Sequence, residues 1–392
     1  MADVVRAAVQ VGPRRIEMQE FARPKINADT GLLRVEANGI CGSDVETYKG
    51  HLGNARDPFI PGHEPLGIVE EVGKRAAQRW GVQAGDRVAL EIIVPCRSCQ
   101  LCLTGRYQSC RNRTVGHGVT PTKVAPGIWG GLSEYIYLSP NAILHPVDPS
   151  LPAEIAVMFN PLGAGVRWAV HLGQVGLGDT VLILGAGQRG LAAVIASRAA
   201  GAGTIIVTGL ASDAHKLALA REFGADHTIV VDEPPAPGAS QRAAASEERT
   251  NGAGTSGSAV NTVERVAELT NGDLADVTLE LTPMATAPVT DALLATRHGG
   301  RVVLAGLKGG KQVPLVTDMI INRALTVVGA FGVDARAYDE AIRIIESRRF
   351  PLEKLHTHTF GLDDTVRAIE TLAGEVPGEA SVHVSVHPGA LS

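Results

Sequence analysis

No run of 18 apolar residues occurs anywhere in this chain of 392, so nothing in it reads as a helix that spans a bilayer. The start, Met1 to Val9, lacks the basic segment and long apolar run of a secretory leader, which makes the cytoplasm the expected location. An excess of positive charge is absent too. Thirty-six Lys and Arg face 41 Asp and Glu, for a net charge of −5, and that balance gives no electrostatic reason for a nucleic-acid or anionic-membrane partner. Cysteine is scarce and unevenly placed. Of five, four crowd between Cys96 and Cys110, and in a large chain without a leader such crowding reads as metal binding rather than disulfides.

What is present describes a compact, turn-rich protein: 45% hydrophobic residues, 20% charged and 45 glycines. The length exceeds one ordinary core, so two domains are expected. Residues 1 to about 90 carry short strand-like runs, such as 32–37 and 67–72, punctuated by Gly and Pro, which is an all-β, barrel-like reading. A lobe of turns with the cysteine cluster follows over about 90–131, and a strand returns within 129–138. From residue 153 the pattern changes to helices alternating with buried strands at 181–184, 204–207, 227–231, 277–281 and 301–304. That alternation predicts an α/β, doubly wound parallel sheet with helices on both faces. The expected division is 1–154, 155–331 and 332–392, the last part rejoining the first. Residues 234–259, rich in Pro, Ala, Ser, Gly and Glu, read as a mobile surface insertion, because they bury too little apolar surface to offset their ordering entropy.

The stretch from Thr180 to Ser197 places a buried strand, a Gly-x-Gly-x-x-Gly turn and a helix in the order that a dinucleotide site requires. Gly185 permits the turn, Gly187 admits a pyrophosphate, and Gly190 lets the helix pack on the strand. Gln188 and Arg189 open the helix whose free N–H groups would receive the phosphates. Gly306 and Leu307, after the strand at 301–304, complete the expected cofactor-binding set together with Gly209, Asp213 and Lys216.

Cys96, Cys99, Cys102 and Cys110 supply four thiolates at spacings that close a tetrahedral Zn²⁺ and leave no position for substrate, so this metal is structural. Four thiolates also suit an iron–sulfur cluster. Cys41 stands outside that closed set, in Gly39-Ile-Cys-Gly-Ser-Asp44, and Gly62-His-Glu-Pro65 follows it. Cys41, His63 and a carboxylate form a three-donor set with a position left open for chemistry. Singly, Cys41 reads equally as a core thiol and His63 as a satisfied core histidine.

These motifs, with Gly130-Gly-Leu-Ser-Glu-Tyr135, occur in one order, and the chain resembles the zinc-dependent medium-chain alcohol dehydrogenases, on their sorbitol and threonine dehydrogenase side. The resemblance covers the chain apart from 234–259. It implies a GroES-like β-barrel catalytic domain made from both termini around a Rossmann NAD(P)-binding domain, and a homodimer or homotetramer. It implies Zn²⁺ as a catalytic and a structural ion, with Cys41, His63 and Glu64 as catalytic-zinc ligands, Ser43 taking the alcohol proton and Asp44 acting behind the ligands. Hydride would pass between a secondary alcohol or polyol, or its ketone, and NAD or NADP. Tyr48, Phe59, Trp129 and Asn160 would line the substrate space. Two alternatives keep the fold: a catalytically silent dinucleotide-binding regulator and an aldehyde dismutase.

The chain departs from the family pattern in three places. Asn160 replaces a further acidic or cysteine ligand. Glu46 stands where a relay histidine is usual, with His51 as a candidate substitute. Gly209 stands where NAD-dependent members carry a ribose-binding acid. Asp213 could reach the ribose and Lys216 a 2′-phosphate, and NAD is favoured over NADP.

Overall fold

A computed structural model describes residues 4–52, 57–232 and 261–389. The segment 234–259 lies outside the described residues. The chain divides into two compact units, one of Met1–Arg167 with Phe331–Ser392 and the other of Trp168–Ala330.

The first unit opens with an antiparallel hairpin, β1 (Val4–Gly12) and β2 (Arg15–Ala22). Next come β3 (Gly31–Ile40), β4 (Pro65–Val72), β5 (Arg87–Leu90), β6 (Tyr135–Leu138) and β7 (Leu144–Pro146). They pair antiparallel, with β3 between β4 and β6 and with β5 between β4 and β7. Period-two alternation is what makes β3 the spine. Leu33 and Val35 enter one core with Val69, Val88 and Leu90, while Leu32 and Ile40 enter another with Val5, Val9 and Ile128. The barrel-like reading of this region overlooked two short helices, Gly42–Tyr48 and Lys74–Trp80. Each is seven residues long, too short for helical periodicity to rise above the surrounding strands.

In the second unit β8 (Thr180–Leu184), β9 (Thr204–Gly209), β10 (His227–Val230), β11 (Ala275–Glu280), β12 (Thr296–Leu304) and β13 (Thr326–Gly329) form one parallel sheet. The order is β10-β9-β8-β11-β12-β13, so the winding reverses between β8 and β11. Ligands bind at the carboxyl ends of the strands beside such a reversal. Val181, Leu182, Ile183, Ile205, Ile206 and Val207 are fully buried, as strands covered on both faces must be.

The division falls at Arg167, later than the sequence expectation of 154. Helix Phe159–Gly165 follows the change to helical character yet belongs with the first unit. Its Phe159 ring lies 5.5 Å from that of Tyr338, and Asn160 Nδ2 donates to the Tyr338 hydroxyl at 3.1 Å. Tyr338 belongs to helix Ala335–Glu346 of the returning segment.

That segment ends in β14 (His356–Gly361) and β15 (His383–His387); β15 runs parallel to β14 and antiparallel to β3, completing the seven-stranded sheet. Among the described residues no helix is long and apolar enough to cross a membrane.

The β14–β15 pair brings His356 Nδ1 and His383 Nδ1 to 3.0 Å, so one ring donates and the other accepts. Burial first, then the nearby His356 and His387 rings, push His383 down to about 3, and burial pushes His356 to about 4. Glu154 faces His356 and His387, and Glu36 faces His387. Both rings of the pair are therefore neutral when folded and titrate near 6.5 when unfolded, so their contribution is complete above pH 6.5 and is lost as pH falls toward 4. Denaturant unfolding should show stability falling by roughly 1.4 kcal/mol per pH unit for His383 across that window. A His383→Leu variant should show a shallower dependence, and identical slopes would contradict the assignment.

Candidate metal and dinucleotide sites

The cysteine lobe carries its four sulfurs at the separations a metal requires. Cys99 Sγ lies 3.5 Å from Cys102 Sγ and 3.8 Å from Cys110 Sγ, and Cys96 Sγ lies 3.9 Å from Cys102 Sγ. A tetrahedron with zinc–sulfur distances of 2.3 Å has edges of about 3.8 Å, whereas a disulfide needs about 2.05 Å. All five cysteines are free thiols. Backbone N–H groups turned toward Cys96 Sγ, that of Ser98 foremost, hold its thiol down to about 5, which favours the thiolate a metal needs. The lobe is tied to its unit through Tyr107, whose hydroxyl donates to buried Glu91 at 2.7 Å and accepts from the Ala335 N–H at 2.5 Å.

The second donor set follows from strand pairing. β3 ends at Ile40, β4 begins at Pro65, and Asn38 pairs with Pro65 between them. Cys41, just past β3, therefore meets His63 and Glu64, just before β4. One ligand atom of each lies within 4.8 Å of the others, and Cys41 and Glu64 are buried. Asp44 joins the two sides. One carboxylate oxygen accepts the Cys41 N–H at 2.9 Å, and the other accepts from His63 Nδ1 at 3.1 Å. The second imidazole nitrogen, Nε2, lies 4.0 Å from Glu64 Oε1 and 3.5 Å from Ser43 Oγ. Burial lowers the His63 pKa, but Asp44 and Cys41 outweigh it and raise it well above the imidazole range. A site with this much negative charge calls for a cation, and a divalent metal meets that need better than a proton.

A cavity of about 220 Å³ opens beside this set, lined by Ser43, Asp44, His63, Gln10, Thr47, Asp57, Phe59 and Ile92 among others. Of the four side chains expected in the substrate space, Phe59 lines it. Tyr48 is buried in the barrel core with its hydroxyl on Glu370 at 3.3 Å. Trp129 is buried edge-on against Tyr137, and its Nε1 donates to the Val124 carbonyl. Asn160 is held by Tyr338. Glu46 and His51 pair with one another at 2.7 Å, and His51 is 59% exposed; neither lines the cavity. Sequence reasoning missed Gln10, Thr47 and Asp57. Thr47 follows Ser43 by one helical turn, a signal that the short helix would have supplied.

In the second unit Gly187 caps helix Gln188–Ala200, and the space where a side chain would stand on it is open. A Cβ on Gly190 would lie 1.9 Å from the Gly185 carbonyl oxygen, so glycine is required where helix crosses turn. Gln188 is buried, while the Arg189 guanidinium lies over the Trp168 ring at 5.6 Å. The helix N-terminus thus presents backbone N–H groups for a pyrophosphate. At the end of β9 a Cβ on Gly209 would meet Leu217 at 3.1 Å and Ala186 at 3.3 Å, which leaves little room for an acid. Asp213 accepts from the Leu210 N–H at 3.2 Å and pairs with Lys216 at 2.8 Å. These two residues, expected to read the ribose, bind each other. Leu307 is exposed and follows Gly306 beyond β12.

Residues 27–149 match the alcohol dehydrogenase GroES-like domain, and residues 190–347 match the zinc-binding dehydrogenase domain. A probable alcohol dehydrogenase of Mycobacterium tuberculosis is 40% identical over 98% of this chain and 99% of its own length. The chain belongs to the zinc-dependent medium-chain alcohol dehydrogenases. The erythritol/L-threitol dehydrogenase of Mycolicibacterium smegmatis is 32% identical over 98% of both chains. A Sinorhizobium meliloti protein described as a zinc-binding dehydrogenase and solved with NADP bound superposes with a TM-score of 0.77, at 25% identity over 99% of this chain and 100% of its own. This dehydrogenase is an oxidoreductase with zinc and a nicotinamide dinucleotide as cofactors.

Replacing Asp44 with alanine removes the acceptor shared by Cys41 and His63. Metal affinity at the three-donor site should fall about 10–100-fold. Graded chelation of this variant, followed by zinc analysis, should empty that site well before the four-cysteine lobe. Simultaneous loss from both would contradict the role given to Asp44.

Proposed function

We propose that this dehydrogenase oxidises a secondary alcohol or polyol, or reduces the matching ketone, at the site built by Cys41, His63 and Glu64. The observation that carries this reading is the cavity that meets Ser43 and His63 and adds Gln10, Thr47 and Asp57 to its wall. Those polar groups suit a substrate with more than one hydroxyl, while Phe59 and Ile92 suit its carbon skeleton. The name of the M. smegmatis relative, a four-carbon polyol dehydrogenase, supports the same class.

Cys41, His63 and Glu64 would hold a zinc ion that would supply Lewis acidity toward the substrate oxygen, and a bound nicotinamide would accept the hydride. Ser43 Oγ lines the cavity 3.5 Å from His63 Nε2, the nitrogen that faces the metal set, and is placed to take the substrate hydroxyl proton while passing its own to water, since Ser43 is only half-buried. Asp44 fixes the His63 tautomer by taking the Nδ1 proton in a hydrogen bond, which turns Nε2 toward Cys41 and Glu64. Neither Glu46 nor His51 lines the cavity, so neither is placed to take the proton from Ser43. NAD is favoured over NADP, because Asp213 neutralises Lys216, the cation placed for a 2′-phosphate.

A homodimer or homotetramer is supported by β13, the open edge of the six-stranded sheet, and by exposed Val316 and Ile321 near it in sequence. The cytoplasm is the proposed location.

Reduction of NAD⁺ and NADP⁺ with a panel of polyols and simple secondary alcohols tests the reading. Turnover with polyols, and a higher kcat/KM for NAD⁺, is expected. Ser43→Ala should lower kcat by about 10²–10⁴ with zinc content unchanged. Dinucleotide binding without turnover on any member of the panel would contradict the proposal.

A further inference from the structure

The second unit carries a part-buried ion pair, a fully buried carboxylate and a half-buried ammonium, that the chemistry above leaves without a role. Glu280, the last residue of β11, is fully buried. Its Oε1 accepts from Lys308 Nζ at 2.9 Å, from the Thr282 N–H at 3.0 Å and from the Thr282 hydroxyl. The same ammonium donates to the Thr282 carbonyl at 2.5 Å. Glu280 Oε2 is buried without a hydrogen-bond partner, so Lys308 supplies the compensating charge.

These groups join the loops that leave two adjacent parallel strands. The Gly306 N–H donates to the Glu280 carbonyl at 3.0 Å, and the Met284 N–H to the Leu307 carbonyl at 2.9 Å. A Cβ on Gly306 would lie 2.3 Å from the Thr282 carbonyl oxygen, and one on Gly185 would lie 3.3 Å from Thr282 Cγ2. Thr282 is thus held between the glycine turn and the loop after β12. That loop contains Gly309 and Gly310 at positive φ, 61° and 78°, the left-handed region that glycine adopts without strain.

Such a pair is a weak source of net stability, and its effect here is to fix one relation between two loops. The location says what that relation serves. A pyrophosphate seated on the helix after Gly187 sits where the winding reverses between β8 and β11. The adenosine half runs toward β9, whose end is the usual place of the ribose reader. The nicotinamide half therefore runs the other way, over the loops after β11 and β12. We propose that Lys308, acting through Glu280 and Thr282, is a positioning residue for the nicotinamide half of the cofactor. The proposal rests on the dehydrogenase reading above.

The test compares two ligands by calorimetry on the zinc-loaded full chain: NADH (or NADPH, if bound more tightly) and ADP-ribose, which lacks the nicotinamide. The double variant Glu280→Gln/Lys308→Met removes both charges and leaves no buried charge uncompensated. Lys308→Gln is a second variant, keeping a donor toward Glu280 and Thr282, and thermal unfolding checks that both fold. In both, dinucleotide affinity should fall on the order of tenfold while ADP-ribose affinity stays within about twofold. Unchanged affinities, or equal losses for both ligands, would overturn the positioning role. A wild type that binds ADP-ribose but neither NADH nor NADPH would overturn the dehydrogenase reading, and this proposal with it.

Discussion

The Asp44 carboxylate sits almost fully buried between two segments that meet at one end of the β3–β4 pairing. One oxygen takes the Cys41 N–H and the other the His63 Nδ1 proton. Without that bridge the Cys41 turn and the His63 ring have no common reference, and Nε2 is not directed at the thiol and the Glu64 carboxylate. The bridge also adds a third acid to a site that already contains a thiol and a carboxylate. Three acidic groups out of water are tolerable when a cation lies among them. The site's geometry and its need for a metal are therefore two aspects of one constraint.

The same unit holds its other donor set in the opposite way. Four sulfurs from one short lobe close on themselves, with separations from 3.5 to 3.9 Å, and leave no open position. Local chain supplies all four donors, so a metal there pins turns that have little core. The three-donor set draws on the chain just past β3 and just before β4, and His63 borders the cavity. In the second unit the parallel sheet, with its reversal between β8 and β11, gives the cofactor a crevice without any metal.

Much of this was legible in the sequence where function depends on short-range spacing. The cysteine run, the pairing of Gly39-Ile-Cys with Gly62-His-Glu and the glycine turn at Gly185–Gly190 state their chemistry locally. Features built from distant segments were not legible. Gln10 reaches the cavity from β1 and Asp57 from the chain beyond the helix that carries Ser43, and no spacing rule connects them. Tyr48 looked available for substrate but lies in the core, because a seven-residue helix turns it inward and hands its hydroxyl to Glu370. Residues 159–165 read as the start of the nucleotide unit, yet their packing partner, Tyr338, lies far along the chain. The Glu280–Lys308 pair had no signature, since a lysine that meets a buried carboxylate looks like any other lysine until its partner is known.

The central claim is that Cys41, His63 and Glu64 hold a metal of their own, distinct from that of the cysteine lobe. Zinc per chain, measured by mass spectrometry on freshly purified wild type and on a Cys41→Ser variant, tests it directly. The account predicts two zincs in the wild type, one for each donor set, and one in the variant, which should remain folded. A single zinc in both proteins would mean that only the cysteine lobe is filled, and would contradict the catalytic metal site.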